Sequence, residues 1–148
     1  MMDYQTAVRG AFFDIAGVAE TPDEVAAQAR YLDDGLLFLQ EGKIIALLPW
    51  HEGETFLHPL KGYVDLRGKL LLPGFVDAHV HYPQTEMIGA FGEQLLEWLT
   101  TYTFPVESQF ADAEYAQEIA QFFVNQLISH GTTTALVFCT LHPASVEA

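Results

Sequence analysis

Two histidines separated by a single residue, His79 and His81, are the side chains of this sequence best suited to metal chemistry. They end the β-branched run FVDAHVH at positions 75–81, which is predicted to form a strand. Successive side chains of a strand point to opposite faces, so Asp77, His79 and His81 are expected to share one face. Imidazole binds zinc and other divalent transition metals, and a catalytic zinc site usually has three protein ligands. The pair therefore predicts two ligands of a metal site that needs at least one more.

Ordinary explanations exist for the same residues. Histidines at a strand end can simply form surface or capping hydrogen bonds. The metal interpretation is favoured because an apolar segment precedes the pair and because barrel enzymes build their active sites at the C-terminal ends of strands. Two roles are open for Asp77: it could orient a ligating imidazole, or it could accept hydrogen bonds from nearby backbone N–H groups. His142 also follows a predicted strand, but a loop or capping role is favoured for it.

The composition indicates a folded, acidic protein and excludes two classes of partner. Half of the 148 residues are hydrophobic, which is too many for a disordered chain. Six basic residues against twenty acidic ones give a formal net charge of −14. Nucleic acids and anionic membranes both require clustered Lys and Arg, so neither is expected as a partner. The single cysteine, Cys139, together with the lack of a secretory signal or a long apolar run, predicts a cytoplasmic protein.

The sequence around the histidine pair divides into two regions with different secondary-structure patterns. Positions 1–72 consist of short apolar runs and turns. The stretch GLLFLQEGKIIALLP predicts a β-hairpin with its turn at Glu41-Gly42-Lys43, and YVDLRGKLLLPGF predicts another with its turn at Arg67-Gly68-Lys69. Between the first strand and the first hairpin, the polar stretch TPDEVAAQARYLDDG is predicted to be a loop with a short helix.

Positions 73–148 alternate between strand and helix patterns, which predicts a parallel α/β arrangement. The run GEQLLEWLTTYTF is predicted to be a helix that ends before Pro105. A second helix is predicted from an N-cap at Asp112 to Gly131, followed by a buried strand, TTTALVFCT. A complete (β/α)₈ barrel takes about 250 residues. The region is therefore either a small α+β domain or the first part of a longer chain, and the short final helix pattern HPASVEA favours the second.

The sequence around the histidine pair resembles a known enzyme family. DLRGKLLLPGFVDAHVH resembles the first barrel strand of the amidohydrolase superfamily, and HVHYPQTEMIGAFGEQLLEWLTTYTFPVESQF, followed by HGTTTALVF, is similar to the guanine deaminases within it. The resemblance implies an α/β protein in which a small β-sandwich portion, residues 1–72, leads into a metal-dependent TIM-type barrel. Residues 73–148 would form the first βα units of that (β/α)₈ barrel, which is expected to be incomplete in this chain.

The resemblance also implies an activity and its residues. The reaction would be the zinc-dependent hydrolytic deamination of guanine to xanthine and ammonia, a step of purine catabolism. His79 and His81 match the metal ligands of the family, and Gln84 matches a glutamine that contacts the purine. Without the resemblance, Gln84 would be assigned to a turn after Pro83. The general acid/base and the other ligands are expected beyond this chain, so we expect the 148 residues alone to be inactive and the full-length protein to be a homodimer.

Two alternatives stay open at this point. The chain could belong to another amidohydrolase that acts on a different ring C–N bond, although Gln84 and the segment EWLTTYTFP favour guanine. It could also be a non-catalytic truncated product that keeps the histidine pair. A reading frame that continues into further His and Asp motifs at strand ends would argue against that second alternative.

Overall fold

The computed structural model describes residues 2–59, 61–92 and 94–148, and the chain divides into two compact units, Met1–Pro73 and Gly74–Ala148. Each unit has its own sheet and its own apolar core. No helix within the described ranges is long and apolar enough to cross a membrane.

The first unit is built on a four-stranded sheet in the order β3-β2-β1-β4. Strands β1, β2 and β3 pair antiparallel, whereas β4 pairs parallel with β1. The strands are β1 (Thr6–Ile15), β2 (Ala29–Gln40), β3 (Lys43–Pro49) and β4 (Val64–Leu71). The helices are α1 (Pro22–Gln28) and the single turn α2 (Trp50–Gly53), which continues into a 3₁₀ turn (Glu54–Phe56). Its core consists of Tyr4, Ala7, Leu36 and Phe38.

The first predicted hairpin is present and connects β2 to β3. Its turn residues Glu41 and Gly42 both have positive φ, 49° and 73°. Two consecutive left-handed residues produce a tight turn whose twist matches that of the flanking strands. Glycine at the second position reaches this conformation without a steric penalty.

The polar stretch before this hairpin is a strand over much of its length, so the loop prediction was wrong there. The short helix is present as α1, but β2 begins at Ala29 and pairs with β1 through its charged residues. Arg30 Nε donates to Asp14 across the strand pair at 2.8 Å, and Arg9 Nε donates to Asp34 at 2.7 Å. Opposite charges on neighbouring strands stabilise this pairing without an apolar pattern.

The second predicted hairpin does not form, because its two runs are parts of one strand. Asp65 pairs with Arg9 and Leu70 pairs with Ala11, so both runs of β4 lie against β1. The surplus residues between these pairs form a bulge in which Gly68 has φ +84°. A glycine-containing turn signal therefore marked a bulge within a strand rather than a reversal of the chain.

The second unit contains two parallel strands, β5 (Phe75–His81) and β6 (Thr132–Phe138). The helix α5 (Ala113–Ser129) immediately precedes β6, and the short α6 (Ala144–Glu147) follows it. Between β5 and α5 lie a 3₁₀ turn (Tyr82–Met87), α3 (Leu95–Trp98), a π-helical segment (Leu99–Thr103), α4 (Phe104–Ser108) and another 3₁₀ turn (Gln109–Ala111). The predicted parallel strand–helix–strand arrangement is thereby confirmed, whereas a barrel stays a prediction.

Helix α5 begins and ends where the sequence predicts. The Asp112 side chain accepts hydrogen bonds from the backbone N–H groups of Glu114 and Tyr115 at 2.8 and 3.2 Å. These are two of the four N-terminal donors that a helix leaves unpaired. At the other end Gly131 has φ +86°, a conformation that suits glycine. The buried face of α5 joins the core of the unit, which consists of Tyr82, Phe110, Ala116, Ile119 and Phe123.

The predicted helix before Pro105 differs from the structure at both ends, because α3 begins at Leu95 rather than at Gly92. The predicted range includes Glu93, which lies outside the described residues, and the helical conformation continues through Pro105 into α4. The π-helical segment changes the helical register, and Pro105 then lies in the first turn of α4. Proline is tolerated there because a first-turn position needs no backbone donor.

Strand β6 was predicted to be buried, and this was wrong for the described residues. Leu136 is 56% exposed and Phe138 is 40% exposed. The cause is the sheet itself, because the described part of this unit contains only β5 and β6. An apolar strand pattern predicts a strand but does not say how many neighbours cover it.

Candidate metal centre

The imidazoles of His79 and His81 converge at the C-terminal end of β5. Their Nε2 atoms lie 3.1 Å apart, and their ring centroids lie 5.2 Å apart. The alternation of side chains along a strand causes this convergence, because the two residues are separated by one position. His79 is exposed and His81 is half-buried, so a ligand from solvent can reach the pair.

The separation of the two nitrogens suits a shared zinc ion. Two zinc–nitrogen bonds of about 2.0–2.1 Å at a tetrahedral angle place the nitrogens about 3.3 Å apart. The observed 3.1 Å is close to this distance. Within the described residues, no group of three or more His, Cys, Asp or Glu could hold a metal ion. The pair therefore offers two ligands, and a site with three protein ligands needs another from outside this group.

Phe138 contacts both imidazoles from the neighbouring strand. Its ring centroid lies 4.9 Å from that of His81, with the planes 16° apart, and 4.6 Å from that of His79. The parallel register pairs His81 with Phe138, which places the aromatic ring beside the histidines. Sequence reasoning missed this residue, although both strands were predicted. Parallel strands end at the same edge of a sheet, and that rule could have identified Phe138 as a neighbour.

The Asp77 side chain forms a hydrogen bond with the strand backbone rather than with an imidazole. Its Oδ1 accepts a hydrogen bond from the backbone N–H of His79 at 3.1 Å. Of the two roles left open, this is the backbone role. An orienting contact from Asp77 to an imidazole stays a prediction. His142 lies in the bend after β6, where its backbone N–H donates to Thr140 Oγ1 at 3.1 Å, and a loop or capping role for its side chain stays a prediction.

Gln84 lies in the 3₁₀ turn directly after the histidines, and it lines a groove together with His79 and His81. Its Nε2 donates a hydrogen bond to Glu107 Oε1 of α4 at 3.1 Å. The groove has a volume of about 740 Å³. The residues lining it include His79, His81, Gln84, Trp98, Phe122 and His130. The structure thus brings the two predicted ligands and the predicted purine-contacting residue to one surface, whereas Glu107 was not singled out from the sequence.

The turn that carries Gln84 is anchored in the core of the unit. Tyr82 and Pro83 are buried immediately before Gln84, and Met87 is buried after it. The Tyr82 hydroxyl donates to the carbonyl oxygen of Ser145 at 2.6 Å, and burial raises the pKa of this phenol. The backbone at Gln84 is therefore fixed on both sides, which limits the positions that its side chain can take.

Residues 70–148 match the Amidohydrolase family. The chain is 51% identical over 142 residues to a guanine deaminase of Escherichia coli K12, an alignment that covers 96% of this chain and 32% of the relative. The chain therefore spans about a third of the length of that relative.

Two solved structures show the same similarity. The E. coli guanine deaminase structure is 50% identical with a TM-score of 0.91, and the match covers 97% of this chain and 33% of that one. A guanine deaminase from C. acetobutylicum, solved with guanine bound in its active site, is 27% identical with a TM-score of 0.75. That match covers 96% of this chain and 32% of the other.

Proposed function

Because this chain belongs to the amidohydrolase family, we propose that its residues form part of a guanine deaminase, which hydrolyses guanine to xanthine and ammonia. Two similarities support the substrate: the relative that is 51% identical is a guanine deaminase, and the C. acetobutylicum enzyme holds guanine in its active site. The observation that carries the proposal is the placement of His79, His81 and Gln84 on one groove.

The architecture that we propose follows the same family. Residues 1–72 would contribute a β-sandwich portion, and residues 73–148 would contribute the first βα units of a (β/α)₈ barrel. Two features support this arrangement: β5 and β6 are parallel, and the candidate ligands lie at the C-terminal end of a strand. Active sites of such barrels are built at that end.

The residues at the groove would have different roles in such a reaction. His79 and His81 would hold zinc through their Nε2 atoms, while Phe138 limits the rotation of both rings. A bound zinc ion would supply Lewis-acid activation of water for the hydrolysis. Gln84 would bind the purine edge through its amide, which offers both donors and an acceptor. Within the described part of the chain no carboxylate lines the groove, so the residue that moves a proton to the leaving amine would come from elsewhere.

The decisive experiment is an assay of the polypeptide expressed from its native gene. We expect zinc-dependent release of xanthine and ammonia from guanine, and we expect His79→Ala to abolish both zinc binding and turnover. His51→Ala is a matched control, because the His51 side chain is 76% exposed and lies outside the groove. Turnover of another ring substrate in place of guanine would assign the chain to a different amidohydrolase activity, and the lack of any turnover with zinc bound would favour a non-catalytic product.

Assembly and location are also proposed from the family. We expect a cytoplasmic homodimer, which light scattering of the purified polypeptide and cell fractionation can test. The formal net charge of −14 supports our expectation of neither nucleic-acid nor membrane partners.

A further inference from the structure

We propose that Glu107 is a positioning residue that orients the Gln84 amide, so that Gln84 Oε1 is presented to an N–H group of the purine. The inference rests on the proposed function, because it describes how the same groove would recognise guanine. Glu107 does not itself line the groove, but it contacts Gln84, which does.

The two residues are held by elements that share one core. Gln84 follows Tyr82 and Pro83, which are both buried. Glu107 follows Val106, which packs against the core cluster that contains Tyr82. The half-buried pair of Gln84 and Glu107 therefore spans two elements whose separation is set by packing rather than by a flexible loop.

The chemistry of the contact decides which way the amide faces. An ionised carboxylate has only acceptor atoms, whereas the two ends of a glutamine amide differ: the nitrogen donates and the oxygen accepts. Only the nitrogen of Gln84 can therefore face Glu107, and the 3.1 Å distance between Nε2 and Oε1 is that of a hydrogen bond. A hydrogen bond with a charged partner is stronger than a neutral one, so it holds the amide in one of its two orientations.

The fixed orientation leaves Gln84 Oε1 available to a ligand. The structure gives Oε1 no hydrogen-bond partner among the described residues, while Gln84 itself lines the groove with His79 and His81. Guanine carries N–H donors on its ring and on its 2-amino group. If the amide were flipped, Gln84 would present its N–H groups to these donors, and the hydrogen bond between guanine and Gln84 Oε1 would be lost. Glu107 would thus favour guanine by preventing the flip.

The test is a double-mutant cycle in the polypeptide expressed from its native gene. Glu107→Ala removes the acceptor, and we expect it to raise KM for guanine roughly three- to tenfold, the loss of one oriented hydrogen bond, with kcat within about twofold. Glu107→Gln keeps the shape but not the charge and should have a smaller effect on KM. The matched control is Glu118→Gln, which removes the same charge from an exposed position on α5 and should leave KM unchanged.

The cycle separates positioning from a general structural role. If Glu107 acts through Gln84, then Glu107→Ala should have no further effect on KM in a Gln84→Ala background. The inference is overturned if Glu107→Ala leaves KM unchanged, or if it raises KM equally in both backgrounds. These KM values can be measured only if the unaltered polypeptide turns guanine over.

A second measurement keeps the inference testable when the proposed function fails. The side-chain NH₂ resonances of Gln84, identified by their loss in Gln84→Ala, can be followed in ¹⁵N spectra. We expect them to shift in Glu107→Ala but not in Glu118→Gln. Unmoved resonances would overturn the inference whatever the activity, whereas a lack of turnover with shifted resonances would overturn the proposed function and keep the orienting contact.

Discussion

Phe138 and His81 stack with their ring centroids 4.9 Å apart and their planes 16° apart. They belong to different strands, and the parallel register of β5 and β6 places them side by side. The same phenylalanine also lies 4.6 Å from His79, so one aromatic ring contacts both candidate metal ligands. Preorganisation of this kind lowers the entropy that two imidazoles lose when they bind one ion.

Removal of the aromatic ring should therefore weaken metal binding. Phe138→Leu keeps an apolar side chain but loses the stacking, and we expect zinc affinity to fall by roughly two- to tenfold, which corresponds to about 0.5–1.5 kcal/mol for an aromatic pair. Competition with a chromophoric chelator measures this change. Phe122→Leu is the matched control, because Phe122 lines the groove without stacking on either histidine. Equal losses in both variants would contradict a specific role for Phe138.

Residues 1–148 on their own are expected to bind zinc weakly and not to turn guanine over. The described residues contain no metal-binding group of three or more His, Cys, Asp or Glu, and no carboxylate among them lines the groove. Catalytic zinc sites usually have three protein ligands, so the two histidines should not build a complete centre. Purified 148-residue protein, supplied with zinc and guanine, should release no ammonia. Turnover above the rate of a His79→Ala, His81→Ala double variant would refute this expectation.

The stability of the first unit should fall on acidification. The Arg30 guanidinium hydrogen-bonds Asp14 and lowers the pKa of that carboxyl, and Arg9 lowers the pKa of Asp34 in the same way. Both folded-state pKa values lie below the unfolded value, which is about 3.9. The ionised pairs thus stabilise the fold above about pH 4, and this contribution is lost as the pH falls through the lowered pKa values.

Urea unfolding at a series of pH values checks this prediction. The free energy of unfolding should decrease below about pH 4, and Asp14→Asn should make that decrease shallower. Arg30→Gln removes the partner and should have the same effect, while the double variant should change it no further. An unchanged pH profile in Asp14→Asn would show that this pair contributes nothing to the fold.

Loss of the N-cap of α5 should destabilise the second unit. Asp112→Ala removes the side chain that accepts from two backbone N–H groups, at a cost of about 1 kcal/mol. The loss can be measured by urea unfolding followed by helical circular dichroism. Asp112→Ser is the control, because serine can accept the same hydrogen bonds and should restore most of the stability. Equal stability of the alanine and serine variants would contradict a capping role.

Local rules predicted three features of the second unit. These features are the strand that carries His79 and His81, the N-cap at Asp112 and the helix end at Gly131. Each of them depends only on residues that are close in the sequence. Predictions failed where distant residues decide the conformation. The charged half of β2 forms a strand because Asp14 on β1 lies opposite Arg30. The predicted turn at Gly68 is a bulge because β1 pairs with the residues on both sides of Gly68.

Strand periodicity alone predicts that the two imidazoles converge, since side chains two positions apart on a strand share a face. The sequence also indicates that Gln84 follows them closely. The contacts of these groups depend on tertiary packing: Phe138 reaches the imidazoles through strand register, and Glu107 reaches Gln84 across 23 positions of the chain. Such contacts depend on how separate elements pack, and the periodicity of a single segment carries no information about its neighbours.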